Sequence, residues 1–539
     1  MKPRYNPFLR IQYLAMLCAA AIPATAGTLQ WDANAGTTGT SDAPAAWNGV
    51  DARWLDGSTN VVWADNSDAQ FGTGTTGTAG AVTIGTIDPT VNSITFNAAS
   101  GGGNFNITGR TINLLNASTD ITANSGDHTI TSSLAGIGKG INKKGAAQVR
   151  LAGAITYTGT TTITAGTLRV NSGANTLYSS TSGFSMAGGS LVISAGSTQN
   201  IAKDFTFSSA SGDITTFDGL GNTGHALGGT MTINNGAVMA IRPRNANAGA
   251  TMVNFDVTGK ITGAGNFRVA GNGSDAAVAA AKVSNTSNDY SGTTTIGGAR
   301  LVLGNSGVIP NGSTVTMSLA SDKIPSLDLN GNNETIAGLS STATGAVIFN
   351  NSGAGTSTLT VGSGDASSNF AGVIKNDDGT TGGTVALTKI GNGTLTLSGT
   401  STYTGDTLVN NGTLALSSTG GLNFKIGLDG VNNQINGAGT VSLDGLFTFD
   451  LTSASTTIDD SWNIVNVATL IESFGSNFSI NSFTRNGGGT GAGIWTKVID
   501  LDSRYLFNTS SGVLTVIPEP RAALLGGLGM LALLRRRRA

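Results

Sequence analysis

The sequence predicts an all-β chain of stacked coils, a β-solenoid, on three observations. First, short alternating runs recur along it. In the stretch Leu387 to Leu416 the runs TLTL, TLVN and TLAL are separated by Gly-Asn-Gly, Tyr-Thr-Gly-Asp and Asn-Asn-Gly. Period-two alternation is a strand signal, because successive side chains point to opposite faces. Gly, Asn and Asp between the runs tolerate the left-handed backbone of sharp turns. Second, helix formers are scarce: charged residues make up 11% of the chain, and Glu occurs only as Glu334, Glu472 and Glu519. Third, the stretch repeats, closely at Ile141–Val170 and more loosely at Lys282–Leu303. Glycine is 79 of 539 residues, about twice ordinary usage. A hydrophobic fraction of 39% and only five prolines between Gly27 and Ile517 favour many short strands over disorder.

Taken in order, residues 1–26 read as a secretory signal peptide. Lys2, Arg4 and Arg10 form its basic start, Leu14 to Ile22 its apolar stretch, and Ala24-Thr25-Ala26 a small-x-small cleavage site that leaves Gly27 first. The apolar stretch is far shorter than the ~20 residues of a membrane span. The single cysteine, Cys18, lies inside this segment, so the mature chain is expected to hold no disulfide and no thiol chemistry. Residues 27–78 contain Trp31, Trp47, Trp54 and Trp63 between polar turns. Such a cluster could stack on sugar rings, but the favoured reading is a packed N-terminal cap that shields the first coil's open strand edges.

Residues 79–420 form the repeat region. Adding 246 to the first unit gives the last: Lys143 maps to Lys389, Gly145 to Gly391, Tyr157 to Tyr403, Thr161 to Thr407 and Leu168 to Leu414. The middle unit matches at Tyr290, Gly292, Thr294, Ile296, Leu301 and Leu303, with Ala299 in place of a glycine. Leu395, Leu397, Val409, Leu414 and Leu416 are expected to face inward, with Thr, Ser and Asn outward. Each buried aliphatic side chain is worth about 1.5–3 kcal/mol, and only stacking can bury the inner face of a coil. At ~22 residues per coil the region would give ~15 coils and a rod ~70 Å long. The pattern KxGxGxLxLxGxxxYTGxTxVxxGTLxL resembles the autotransporter-associated β-strand repeat. That resemblance implies a right-handed parallel β-helix passenger on a bacterial surface. The family's usual partner is an outer-membrane β-barrel of many strands of ~10 residues. Thr456–Val516 is too short for one, so autotransport by this chain alone is not expected.

Residues 421–517 carry longer apolar strands (LFTFDL, SWNIVNV, FSINSF, GIWTKVIDL and GVLTV) and read as a C-terminal β cap. In residues 518–539, Pro518-Glu519-Pro520 precedes an apolar run from Ala522 to Leu534 and the cluster Arg535, Arg536, Arg537 and Arg538. This resembles the PEP-CTERM sorting signal of Gram-negative bacteria. It implies an exosortase-type processing enzyme as a partner, with cleavage near the motif and release or attachment at the cell surface, outer membrane or extracellular matrix. The arginines would stay cytoplasmic while the apolar run inserts transiently. Thirteen residues are short for a span, so snorkelling or membrane thinning would have to help.

Removing three basic residues from 1–26, and five basic residues and Glu519 from 518–539, leaves 21 basic and 30 acidic residues, net −9. That balance argues against nucleic-acid binding. β-Helix enzymes acting on polysaccharides need clustered carboxylates, or aspartates holding a cation beside a basic residue. The candidates, Asp377-Asp378 and Asp459-Asp460, are adjacent pairs beside turn residues, so their side chains would diverge. His128 and His225 are the only histidines, which argues against a zinc site, and Arg242-Pro243-Arg244 reads as an exposed turn. The expectation is a non-enzymatic exported structural or adhesive protein with no catalytic residue, cofactor or metal, and exopolysaccharide as its partner. The alternative is a carbohydrate-active β-helix enzyme or a lectin.

Overall fold

The computed structural model describes residues 27–34, 40–171, 177–194, 198–216, 225–243, 253–271, 279–319, 323–353, 355–379, 382–468, 470 and 474–519. Its strands are mostly three to six residues long, because glycine and Asx turns cut each alternating run short. Stacked in parallel, they wind a β-solenoid of about 14 turns. One four-residue helical turn, Leu177–Ser180, and one 3-10 turn, Ser363–Asp365, interrupt it among the described residues.

Three faces can be followed along the rod. The first runs from Thr28–Trp31 to Ile261–Gly263, and is resumed by a six-stranded sheet from Glu334–Ile336 to Val465–Val467. The second runs strand to strand from Ala45–Trp47 through Gln148–Leu151 and Thr294–Gly297 to Thr440–Leu443. The third runs from Asn200–Ile201 to Val373–Ile374, and Thr402 N donates to Ile374 O (2.8 Å) where the next sheet, Thr400–Ser401 to Ser479–Ile480, takes over. Coil length varies: Val149 lies opposite Leu168, 19 residues on, and Ser341 opposite Phe370, 29 residues on. The extra residues leave at the corners, where a longer loop costs little.

Between Ile261–Gly263 and Glu334–Ile336 the first face loses its regular ladder, and side chains replace it. Asn288 Oδ1 accepts from Ile261 N (2.7 Å) and its Nδ2 donates to Val308 O (2.8 Å). Glu334 Oε2 then accepts from Val308 N (3.0 Å) and Ile309 N (3.3 Å), and its Oε1 from Thr335 N (3.1 Å). A buried N–H without a partner is costly, which explains a carboxylate only 2% exposed inside the rod. Burial pushes Glu334 up to about 7 from its ordinary 4.5, against the pull of these three donors. The sign follows: its folded-state pKa is raised, so its contribution to stability is complete below about 4.5 and is lost as pH rises through about 7. Thermal melts from pH 4.5 to 7.5 should show this decline, on the order of 3 kcal/mol, and Glu334→Gln should remove it. An identical pH slope in both proteins would refute the assignment.

The core is one continuous column. Leu395, Leu397, Val409, Leu414 and Leu416 are all at most 2% exposed, as the alternation predicts. At the N-terminal end Trp47, Trp54 and Trp63 meet edge-on or tilted with ring centres 4.9 Å apart, and Trp31 meets Trp54 at 5.3 Å. All four indoles are buried, so their faces are taken up by one another and by Phe71. At the far end an antiparallel sheet joins Ser461–Asn463, Val513–Pro518, Ser503–Asn508, Ile494–Val498 and Thr484–Arg485. Phe447, Phe449, Phe478 and Phe507 pack between it and the last coils. One expectation fails. The alternation puts threonines outward, but Thr161, Thr294 and Thr407 are buried, because each has an inward hydroxyl partner.

Candidate functional site

The carboxylates picked out as acid–base candidates do not converge. Asp377 Oδ1 accepts from Gly379 N (2.7 Å) in a local turn. Asp378 faces Arg300 at 3.2 Å and accepts from Asn351 Nδ2 (2.7 Å), while the Arg300 guanidinium lies 4.7 Å above the Phe349 ring. Asp459 has φ +75° and its N–H donates to Val516 O (2.9 Å); Asp460 follows in the same turn. Both pairs are therefore held as turn and clamp groups.

The histidines are built into the wall. His128 Nδ1 accepts from Phe105 N (3.0 Å), Nε2 lies 2.6 Å from Ser125 O, and the ring stacks on Phe96 at 4.5 Å. These partners select the neutral tautomer with hydrogen on Nε2, and burial pushes the imidazole below its usual pKa. His225 Nδ1 accepts from Gln199 N (3.1 Å). Arg242 pairs with Asp213 (2.7 Å), and Arg244 lies outside the described residues. Among the described residues no three His, Cys, Asp or Glu side chains gather into a metal site.

The processing residues divide between described and undescribed segments. Ala24, Ala26, Pro520 and Arg535 to Arg538 lie outside the described residues, as does the apolar run from 522 to 534. No helix among the described residues is long and apolar enough to cross a membrane. Gly27 is tied in through its carbonyl, which accepts from Asp68 N (2.9 Å). Pro518 ends the final strand opposite Ser503, and Glu519 N donates to Asp502 O (2.8 Å). The Glu519 carboxylate meets Arg504 at 2.5 Å, with the two side chains 14% and 18% exposed. The Pro-Glu step is thus fastened to the terminal sheet with no intervening linker.

Two groups inside the repeat units escaped sequence reasoning. Lys143 Nζ lies in the core and donates to three carbonyls, Lys144 O (2.7 Å), Gly145 O (2.9 Å) and Ala165 O (3.2 Å). Lys389 repeats this on Ile390 O (2.6 Å), Gly391 O (2.9 Å) and Asn411 O (3.3 Å). Burial pushes Lys143 down to about 8 and lowers Lys389 too. The turn that presents these carbonyls needs glycine: Gly391 has φ +68°, and a Cβ there would stand 2.0 Å from Gly362 O. The second group is a hydroxyl pair. Tyr157 Oη lies 2.8 Å from Thr161 Oγ1, Tyr290 Oη 2.7 Å from Thr294 Oγ1, and Tyr403 Oη 2.6 Å from Thr407 Oγ1. Burial raises all three phenols, Tyr403 to about 12, so they remain neutral hydrogen-bonding pins.

The passenger-associated transport repeat family matches residues 141–170, 283–303 and 387–416, the three segments that hold these tyrosine–threonine pins. The chain carries passenger-associated transport repeats. A stretch of 337 residues, 61% of the chain, is 29% identical to the adhesin BmaC autotransporter of Brucella suis biovar 1 (strain 1330). The match covers 8% of that much longer protein. The structure adds a point about the repeats themselves. In the first unit Thr161–Ile163 lies on the first face and Thr167–Asn171 on the second. In the middle unit the equivalent strands, Thr294–Gly297 and Arg300–Leu303, lie on the second and third faces. In this chain the repeat therefore marks a corner with its two flanking strands, not a particular face. Where the middle repeat has Ala299, the left-handed turn residue is Gly298, at φ +63°.

One open cleft stands out on the outer surface of the later coils. It encloses about 630 Å³ over the strands Thr356–Val361 and Thr384–Lys389. Its wall is a short loop that leaves the coil after Lys425 and returns at Asn433, closed by the Ile426–Asn432 bridge.

Proposed function

We propose that this protein is an exported, non-catalytic rod that acts as an adhesive or structural element at the cell surface or in the extracellular matrix. The observation that carries the reading is the continuous parallel solenoid built on passenger-type repeats. The acid, base and ligand candidates Asp377, Asp378, His128 and His225 are held in turns, a clamp and the wall. The similarity to an adhesin autotransporter supports an exported, adhesive role. In this reading the Trp-rich section from 27 to 78 caps one end, and residues 421–517 close the other. An exosortase-type enzyme cuts near Pro518-Glu519-Pro520 after the apolar tail has entered the membrane, and exopolysaccharide is the surrounding partner.

The test is export of the full chain beside a form lacking residues 518–539, with mass spectrometry of the mature C-terminus. The full chain should end near residue 520 and appear at the surface. The truncated form should lose surface attachment or processing. Identical localisation and an intact C-terminus in the full chain would overturn the sorting role. Because Glu519 is fastened to Arg504, Arg504→Ala should speed cleavage in the same assay, with the loosened cap visible as earlier proteolysis of the last strand.

A further inference from the structure

We infer that the cleft over Thr356–Val361 and Thr384–Lys389 is a binding site for a segment of an uncharged polysaccharide. The inference rests on the adhesive reading and gives it a ligand class and a place.

The site is preformed. Its wall is anchored from behind: Trp462 Nε1 donates to Leu428 O (2.7 Å), Ser461 N to Asp429 Oδ1 (2.8 Å), and Asn432 Nδ2 to Asn463 O (2.7 Å). Asn433, only 9% exposed, fixes its base by accepting from Lys425 N (2.7 Å) and donating to Asn423 O (3.1 Å). A volume of about 630 Å³ lies within the usual range for ligand sites.

The lining selects the ligand. The floor presents the side chains of Thr356, Thr384 and Ala386, with Thr404 at the edge, so hydroxyls are set among apolar surface. Thr404 Oγ1 accepts from Asn376 Nδ2 (2.8 Å), which leaves its own hydrogen to donate. Asp406 and Lys425 both line the cleft, and neither has an ion-pair partner within 4 Å among the described residues. Asp406, whose Oδ1 accepts from Gln434 N (3.1 Å), offers a carboxylate acceptor, and Lys425, in register with Asp450, offers a strong donor of opposite charge. A polyanion drawn to Lys425 would also meet Asp406, and a polycation drawn to Asp406 would also meet Lys425. Val431, 61% exposed on the wall, supplies an apolar surface for the C–H face of a sugar ring. A peptide fits less well. Peptide capture on a sheet uses a free strand edge, and the two floor strands are already paired with each other over six residues.

The test is titration calorimetry of the full mature chain against neutral gluco- and manno-oligosaccharides, with polygalacturonate and chitosan oligomers as charged probes. Thr384→Trp fills the floor from an outward position, and Asp406→Ala removes the acceptor. Binding of a neutral oligosaccharide that weakens at least tenfold in both variants, at unchanged melting temperature, is the expected result. No binding of any neutral probe at millimolar concentration would overturn the proposal. So would preferential binding of a charged probe, or neutral binding indifferent to both variants. Adhesion of cells displaying the chain separates the two levels. Adhesion that persists when wild-type binds no neutral probe removes the cleft assignment alone. Absence of adhesion with intact sugar binding removes the adhesive reading and leaves the cleft.

Discussion

Leu414→Asp should open the solenoid around its coil, with a loss of about 5 kcal/mol or more. Leu414 is 1% exposed and sits in register between Leu395 and Val441. The substitution forfeits about 2 kcal/mol of transfer energy, leaves a cavity, and puts a carboxylate between the aliphatic side chains of Leu395 and Val441. In a stacked array each coil leans on its neighbours, so the damage should spread from this coil toward the C-terminal sheet before it reaches the tryptophan end. Limited proteolysis should cut first among residues 395–445. Ala415→Asp, one residue along and half-buried on the outer face, should cost little. Unchanged protease resistance and melting in Leu414→Asp would refute the inward assignment.

The Lys143→Met, Lys389→Met double variant should be less stable than the wild type by several kcal/mol. The sign is not obvious, because two large effects oppose each other. Removing a buried ammonium relieves a desolvation cost, the same cost that pushes Lys143 down to about 8. Against that, each lysine donates to three carbonyls, and a buried acceptor that loses its donor costs about 1–3 kcal/mol. Three such losses, together about 3–9 kcal/mol per site, should outweigh the relief. The sites are far apart along the rod, so the two should add. Equal or higher stability in the double variant, from chemical denaturation, would mean that desolvation wins.

The fold was legible because the solenoid writes its inner face into sequence parity. Leu395, Leu397, Leu414 and Leu416 could be placed by alternation alone, since misplacing one would expose them all. The same parity puts Lys389 on the side of Val385 and Leu387, and the structure keeps it there. What could not be read was the carbonyl cage that makes a buried lysine tolerable: two of its carbonyls come from the lysine's own turn, but the third, Ala165 O or Asn411 O, comes from the next coil. Thr161, Thr294 and Thr407 illustrate the limit of propensity: threonine is usually an outward residue, until a tyrosine hydroxyl four positions away offers it a buried partner. The middle repeat's shift to another pair of faces left no mark in sequence, because all three inner walls ask for the same aliphatic side chains. The cleft was invisible for a different reason. Thr356, Thr384, Asp406 and Lys425 are scattered over three coils, and only stacking brings them to one place.

The fastening of the final strand bears on how the molecule carries force. Bonds between coils run along the rod, so tension on its two ends loads them row by row, and a coil can peel without its neighbours sharing the load. The strand Val513–Pro518 is held differently, by six antiparallel residue pairs to Ser503–Asn508 whose bonds lie across the strand. A pull along that strand shears all six pairs together. A rod tethered through Pro518 would therefore keep its grip while outer coils yield, extending under flow before it lets go.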